Sequence, residues 1–423
     1  MPNYVFSGFD TVALAQQYQT PLYVMSEDII RENINGIKAG FEAGGADYCI
    51  NFAGKSFLNT AMCRIVDDCG ICLDVASGGE LYTALQSGLD PKRICMHGNN
   101  KTEGELIMAI EAGVGRIVID NENELNHLDR LTQSLQKPVS VLFRVTPGIS
   151  AHTHELIQTA TEDSKFGIPI KLARNVIART LTMPYIHTVG IHCHVGSQIV
   201  DEEPFVMAME IMMDLYKALL DDGLALTELN LGGGFGIAYL STDEAFDVQH
   251  HIPKMVAKIK AISDEKKIPM PVLCVEPGRY ISATAGITLY TIGVVKEIPG
   301  VKTYVCVDGG MADNPRPALY DAQYEAVICN EKPADCEMKT VSVSGKACET
   351  DGLIARIDLP DPQVGDILAV KHTGAYNYTM SSNYNRLPRP AVVLLSRGRS
   401  GVMVERETYA DLVAHDRVPE WLL

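Results

Sequence analysis

Eight short apolar runs, each followed by an amphipathic stretch, constrain this chain more than any other feature. They are YCINFA (48–53), ICLDVA (71–76), ICMHGN (94–99), RIVID (116–120), VSVLFRV (139–145), HTVGIHCHVG (187–196), ELNLGG (228–233) and PVLCVEP (271–277). Most are continuous β-branched and aliphatic runs, the texture of strands covered on both faces. The stretches between them, such as SFLNTAMCRIVDDCG and GGELYTALQSG, read as amphipathic helices stopped by glycine. Repeated β-α with eight strands predicts an α/β fold, a (β/α)₈ TIM barrel; a Rossmann-like sheet with extra strands is the alternative.

After about residue 283 the texture changes. GITLYTIGVVKEI, KTYVCVDGG, KTVSVSGKAC, DILAVKHTGAY and RPAVVLL are strand-like runs separated by Gly, Pro, Asn and Asp. They predict a mostly antiparallel β-sandwich or barrel-like C-terminal domain. TPLYVMS, near the N-terminus, is a further strand able to join it. The expected division is therefore a barrel over 29–283 and a β domain built from 1–28 and 284–423. No low-complexity tract or long linker separates the two, so they are expected to pack against each other.

Composition narrows the class. A net charge of −17 disfavours a nucleic-acid surface, and no apolar run is long enough to span a membrane. The opening MPNYVFSGFD lacks the basic start and apolar core of a signal peptide, so the expected location is cytoplasmic. The 11 cysteines match no zinc spacing, and most lie inside apolar runs. They read as reduced core thiols, with no metal site expected.

The ends of the runs carry the chemistry. In a (β/α)₈ barrel, functional groups project from the C-terminal strand ends. Lys55 follows the first run, where a solvated surface lysine is less expected. A desolvated lysine amine is nucleophilic enough to form an imine with an aldehyde. His192 and His194 alternate with Cys193 and so point the same way; one can be structural and the other stack on a ring. Gly232, Gly233 and Gly234 can turn tightly and aim backbone N–H groups at an anion. Glu276 is either a buried acid paired with Arg279 or the partner of a pyridine nitrogen. A lysine, an imidazole, a phosphate-sized glycine turn and a carboxylate are the parts that hold pyridoxal 5'-phosphate.

With these residues in view, the chain resembles the alanine-racemase-like (fold type III) pyridoxal-phosphate decarboxylases, nearly end to end. HVGSQI (194–199), GGGFG (232–236) and EPGRY (276–280) are similar to the ornithine and arginine branches as well. VDGGMADNPRPALYDAQYEA (307–326), TGAYNYTMSSNYNRLPRP (373–390) and HTHELIQTATEDSKFGI (152–168) fit the diaminopimelate branch. The resemblance implies that Lys55 binds the cofactor covalently, His194 stacks on its ring and Glu276 pairs with the ring nitrogen. Ser197, Gly232, Gly233, Gly234, Gly278, Arg279 and Tyr376 would surround the cofactor phosphate. Arg279, Arg316, Tyr320 and Tyr376 would face the substrate, with Glu349 on its distal ammonium and Cys348 as the acid that protonates the product carbon. It further implies a homodimer in which Cys348 and Glu349 serve the neighbouring subunit's site.

The implied reaction is decarboxylation of meso-2,6-diaminopimelate to L-lysine and CO₂. A decarboxylase of ornithine, arginine or another D-amino acid, a racemase, or an inactive homologue that only binds a partner are the competing readings. Arg316 and Tyr320 weigh against the diamine-forming enzymes, and the pair Lys55 and Cys348 weighs against an inactive homologue. Two departures stand out. The usual CESGD reads CETDGL at 348–353, and NFAGKSF around Lys55 differs from the commonest wording.

Overall fold

The computed structural model describes residues 2–148 and 164–423. By compactness the chain divides into two units. One comprises Arg31–Ala238 and Glu244–Ile281; the other comprises Met1–Ile30, Tyr239–Asp243 and Ser282–Leu423.

The first unit is a closed barrel of eight parallel strands in chain order. They are β1 (Tyr48–Ala53), β2 (Cys72–Val75), β3 (Ile94–Met96), β4 (Arg116–Ile119), β5 (Val139–Thr146), β6 (Ile186–His192), β7 (Glu228–Asn230) and β8 (Val272–Val275). β8 pairs with β1 through Leu273, Cys274 and Val275, which closes the ring. Each of the eight expected runs supplies one strand, with ends that differ from the run by at most four residues. The runs are apolar throughout because both faces are covered: Phe52, Leu73, Ile117, Phe143, Ile191 and Leu229 are all fully buried.

Local chemistry marks where five of the barrel helices begin. Asn59, Ser77, Asn121 and Asp247 accept hydrogen bonds from the first-turn N–H groups of the helices after β1, β2, β4 and β7. Thr102 and Glu105 form a reciprocal capping box after β3. Gly88 and Gly113 end two of these helices in the left-handed conformation. Among the described residues no helix is long and apolar enough to cross a membrane.

The second unit is mostly antiparallel sheet. Its axis is the long strand Gly286–Ile298, which changes partners along its length. Gly286–Leu289 pair with the early strand Leu22–Ser26, and Thr288–Thr291 pair with Ile367–Val370. From Ile292 onward the partner is Lys302–Val307. A strand shared in this way makes the corner of a folded-over sheet. Leu22–Ser26 also pairs in parallel with Ala391–Ser396, which draws the start of the chain into the middle of this sheet. Leu22, Val24, Ile287, Leu289, Val393 and Leu395 form its core with Leu14 and Ala15 of the first helix.

A buried carboxyl sits in that unit. The Tyr290 hydroxyl donates to Asp313 Oδ1, Gly310 N–H donates to Oδ2 at 3.0 Å, and the Tyr23 hydroxyl donates to the Asp313 carbonyl. Burial, reinforced by Asp351 and Asp308, pushes this carboxyl up to about 7, against hydrogen bonds from Tyr290 and Gly310. Because the folded-state value lies above the ordinary carboxylate range, the proton stabilises the fold. That contribution is complete below about pH 4 and is lost as pH rises through 7. We expect stability in urea to fall between about pH 4 and 7, with a contribution on the order of 4 kcal/mol at most from this group. Asp313→Asn should show a shallower fall. Equal slopes for the two proteins would show that Asp313 is not the titrating group.

Candidate active site

The C-terminal ends of β1, β6, β7 and β8 bring the barrel's expected site residues together. Lys55 lies two residues past β1, in the single turn Gly54–Ser56, and is exposed while both its neighbours are buried. That turn is tied to the end of β8, since Ala53 N–H donates to the Pro277 carbonyl at 3.3 Å. The glycine run is tied to the same strand end: Glu276 N–H donates to the Gly232 carbonyl at 2.8 Å. Gly232 has φ of +71° and Gly234 of +120°. A Cβ on Gly232 would stand 2.7 Å from His194 Nδ1, so the turn and the imidazole are in contact only because no side chain intervenes. Ser197 accepts from Arg279 Nη2 at 3.1 Å, which joins the loop after β6 to the segment after β8.

The geometry shows what Glu276 and His192 face. Glu276 is 6% exposed, and its carboxylate faces His97, His192 and Asn230 rather than Arg279. Oε1 lies 2.8 Å from His97 Nε2 and 2.8 Å from Asn230 Nδ2; Oε2 lies 3.0 Å from His192 Nε2. Burial alone would raise this acid, but His97 and His192 hold it well below the usual carboxylate range. Burial disfavours a charge on His97 too, yet Asp74 and Glu276 beside it raise its affinity for a proton. Burial takes His192 down to about 4, so it is the neutral donor of the pair. Asp74 is pushed up to about 6 by burial, with His97 opposing. The consistent state is an ionised Glu276, a protonated His97 and a neutral His192. His194 is held neutral by burial and by the nearby cation of Lys55.

Cys95, His97 and Glu276 also approach as closely as a three-ligand metal set would, their ligand atoms lying within 4.8 Å of one another. The set is already satisfied by hydrogen bonds, with His97 Nε2 committed to Glu276. His97, Asn230 and Asp74 are not among the expected site residues. The strand-end rule points to His97, the first residue past β3, and Asp74 is a charge inside an otherwise apolar run.

Gly278, after β8, lies against the Lys55 turn, where a Cβ on it would stand 2.9 Å from Ser56 Oγ, and the other expected residues lie in the second unit. Arg316 opens the short helix Arg316–Tyr320 and is 7% exposed. Its Nη1 donates to the Tyr324 hydroxyl at 2.6 Å and the Tyr239 hydroxyl at 3.0 Å. Among the described residues no carboxylate pairs with it. Tyr320, at the other end of that helix, is 63% exposed. Cys348 and Glu349 are exposed as well; Glu349 accepts from the Tyr384 hydroxyl at 3.1 Å. Tyr376 is half-buried with φ of +61°, an uncommon conformation for a tyrosine.

The segment carrying Cys348 is clamped by a residue with no expected role. Asp351 is 5% exposed, and its carboxylate accepts from Met311 N–H at 2.6 Å and Ala347 N–H at 2.8 Å. Its carbonyl accepts from Gly345 N–H at 2.8 Å. A Cβ on Gly310 or Gly345 would strike this carboxylate, at 2.3 Å and 2.2 Å. The diaminopimelate-type stretch at 152–168 falls outside the described residues up to 163.

Residues 28–283 match the family model described as "Pyridoxal-dependent decarboxylase, pyridoxal binding domain". Diaminopimelate decarboxylase of Bacillus subtilis is 45% identical over 413 residues, covering 97% of this chain and 94% of that one. The enzyme of that name from Methanocaldococcus jannaschii is 37% identical over 428 residues, with 100% and 96% covered. The M. jannaschii enzyme solved with L-lysine superposes with a TM-score of 0.94 at 36% identity, covering 100% of this chain and 97% of that one. A lysine/ornithine decarboxylase from Vibrio vulnificus, with putrescine, superposes at a TM-score of 0.77 over 91% of this chain and 97% of that one; at 22% identity this shows a shared fold alone. The barrel, its strand-end residues and these full-length similarities place the chain in the pyridoxal-dependent decarboxylase family.

Proposed function

We propose that this chain is a pyridoxal 5'-phosphate-dependent decarboxylase that converts meso-2,6-diaminopimelate to L-lysine and CO₂. The observation that carries the reading is similarity to diaminopimelate decarboxylases over 97% of the chain at up to 45% identity. The residues present fit the cofactor. The turn at Gly232–Gly234 leaves side-chain-free space beside His194, Lys55 offers an amine at the barrel mouth, and Glu276 is an ionised buried acid. Three hydrogen bonds to Glu276 leave part of its acceptor capacity for a protonated ring nitrogen.

Bound pyridoxal phosphate supplies the electron sink that takes up the pair left when the carboxylate departs. The chain's own residues do the rest. Lys55 would hold the cofactor through its side-chain amine until the substrate amine takes its place. Glu276, kept ionised by His97 and His192, would accept from the protonated ring nitrogen and so keep its proton in place. His194 would pack on the bound cofactor, Ser197, Gly232, Gly233, Gly234, Arg279 and Tyr376 would bind its phosphate, and Gly278 would line its site. Arg316, Tyr320 and Arg279 hold the far carboxylate of the substrate, and Glu349 holds the far ammonium. The Cys348 thiol delivers the proton that completes L-lysine. Arg316 suits its role because it is buried and oriented by two phenols, with no carboxylate among the described residues to displace. Ornithine and lysine lack the group it awaits and would leave its charge unpaired.

The chain works as a homodimer in this reading, each site completed by Cys348 and Glu349 of the other subunit. Support comes from the exposure of Cys348, Glu349, Leu319 and Tyr320, a combination of reactive and apolar groups that a lone chain would leave in water.

Three outcomes are expected. CO₂ release from meso-diaminopimelate should far exceed that from ornithine, arginine or lysine, and Lys55→Ala should stay folded with almost no turnover. Borohydride should fix the cofactor to the peptide containing Lys55; fixation to another lysine refutes the assignment.

Arg316→Ala and Glu349→Ala should each lower kcat/KM for meso-diaminopimelate at least about 100-fold, since stranding a buried charge costs about 3–5 kcal/mol. Wild-type kcat/KM in either variant removes that residue from the substrate site.

Lys55→Ala and Cys348→Ala dimers should both be nearly inactive, yet subunit exchange between them should restore about a quarter of wild-type activity. In a random one-to-one mixture about half the dimers are hybrids, each with one site intact and one site doubly defective. No recovery, with hybrids confirmed by mass spectrometry, would mean that each site is built within one chain.

A further inference from the structure

The turn that brings His97 to Glu276 is built around a buried ion pair that the mechanism above does not use. Lys101 lies four residues past His97. Its side chain is 1% exposed, and that of its partner Glu124 is 5% exposed. The ammonium donates to the Gly98 carbonyl at 2.8 Å, the Val118 carbonyl on β4 at 2.7 Å and Glu124 Oε1 at 2.6 Å. An ammonium has three N–H groups, so all are engaged. Glu124 Oε2 accepts in turn from Asp120 N–H at 3.0 Å. Asn121, which caps the helix Glu122–Leu135, donates to the Asn99 carbonyl at 3.2 Å. The turn after β3 is thus fastened to β4 and to the first turn of the helix that follows β4.

Stability alone does not call for charges here. Apolar side chains of similar volume fill a core as well as a buried ion pair or better. What the pair supplies is direction. Gly98 has φ of +128°, and a Cβ there would stand 3.3 Å from Lys101 Cγ and 3.5 Å from the Ala76 carbonyl. A glycine in that region has no side chain to fix its own orientation, so the bond from Lys101 to its carbonyl does so. On the other side, His97 N–H donates to the Val75 carbonyl at 2.7 Å. Held between these anchors, His97 Nε2 stands 2.8 Å from Glu276 Oε1 and 3.9 Å from Asp74 Oδ1. A displacement of about 1 Å would take the contact with Glu276 out of hydrogen-bonding range.

We propose that Lys101 is a positioning residue for the reaction: by holding the Gly98 carbonyl against β4 and Glu124, it keeps His97 on Glu276 and so keeps that acid ionised for the cofactor's ring nitrogen. The proposal rests on the assignment of Glu276 to that nitrogen. Lys101 acts through His97 and not on the substrate, because its three N–H groups are committed within the framework. The substrate's far head is assigned to Arg316 and Glu349, so loss of Lys101 falls on kcat and not on KM.

Lys101→Met alone would strand the Glu124 carboxylate in the core. The test variant is therefore Lys101→Met with Glu124→Gln, whose amide oxygen can still accept from Asp120. A second variant, Lys101→Gln with Glu124→Gln, replaces the ions by amides too short to reach both carbonyls, and the same losses are expected of it. The control is Lys332→Met with Asp366→Asn, which removes a pair in the second unit that is 2.7 Å apart with both side chains 11% exposed. In the test variants kcat for meso-diaminopimelate should fall about 10-fold with KM within about twofold of wild type, and the control should change neither. In a His97→Gln background the same substitutions should cost nothing further, since the group they aim is gone. Imidazole NMR of the histidine-labelled full-length protein supplies a readout independent of turnover. The hydrogen-bonded Nε2–H resonance of His97, assigned by its absence from His97→Gln, should persist in wild type and control and be lost from the test variants. The proposal is overturned if that resonance survives in them, if the loss of kcat is undiminished in the His97→Gln background, or if the control lowers kcat equally. A wild-type protein that releases no CO₂ from meso-diaminopimelate would refute the proposed function, and the NMR comparison would still decide whether Lys101 positions His97.

Discussion

The barrel site depends on one buried charge. Glu276 stands in a closed interior where an unpaired carboxylate would be neutralised or would cost several kcal/mol. It stays ionised because the ends of three other strands converge on it: His97 after β3, His192 at the end of β6 and Asn230 at the end of β7. Each donor sits where a short parallel strand stops, so the closure of the barrel itself aims them. In the proposed reading, the ionised acid is the feature that turns a lysine and a glycine turn into a cofactor site. A neutral acid in the same place would not hold a proton on a pyridine nitrogen.

The second unit solves the opposite problem with a buried cation. Arg316 is oriented by Tyr239 and Tyr324, whose rings also lie beneath the guanidinium at 5.0 and 5.6 Å. Phenols steady the group without neutralising it. A carboxylate in either position would have spent the charge within the protein. The two units thus hold charges of opposite sign in different conditions: one partnered by donors from three strand ends, the other oriented by phenols with no carboxylate partner among the described residues.

Much of this is legible in the sequence, for definite reasons. All eight barrel strands are visible because strands buried on both faces are continuously apolar, and Lys55, His194, Gly232 and Glu276 are visible because strand ends are where such barrels place chemistry. What escapes is pairing across sequence distance. Nothing local announces that Asn230 and His97 meet Glu276, or that Tyr239 meets Arg316 across 77 residues.

The altered motif after Cys348 shows how a local departure can leave a site's framework intact. The usual Gly–Asp order is reversed here, which on sequence grounds puts the turn in question. In the structure the left-handed residue is Asp351 itself, with φ of +42°. Aspartate is among the few non-glycine residues that adopt this region readily, at about 1–2 kcal/mol. That cost is offset by the two N–H groups on its carboxylate and the one on its carbonyl. Gly352 is not left-handed, and nothing lies within 4 Å of where its Cβ would stand, so no steric demand for glycine exists there. The aspartate therefore both makes the turn and clamps it to Met311. The glycines the clamp does require are Gly310 and Gly345, which press against the carboxylate from either side.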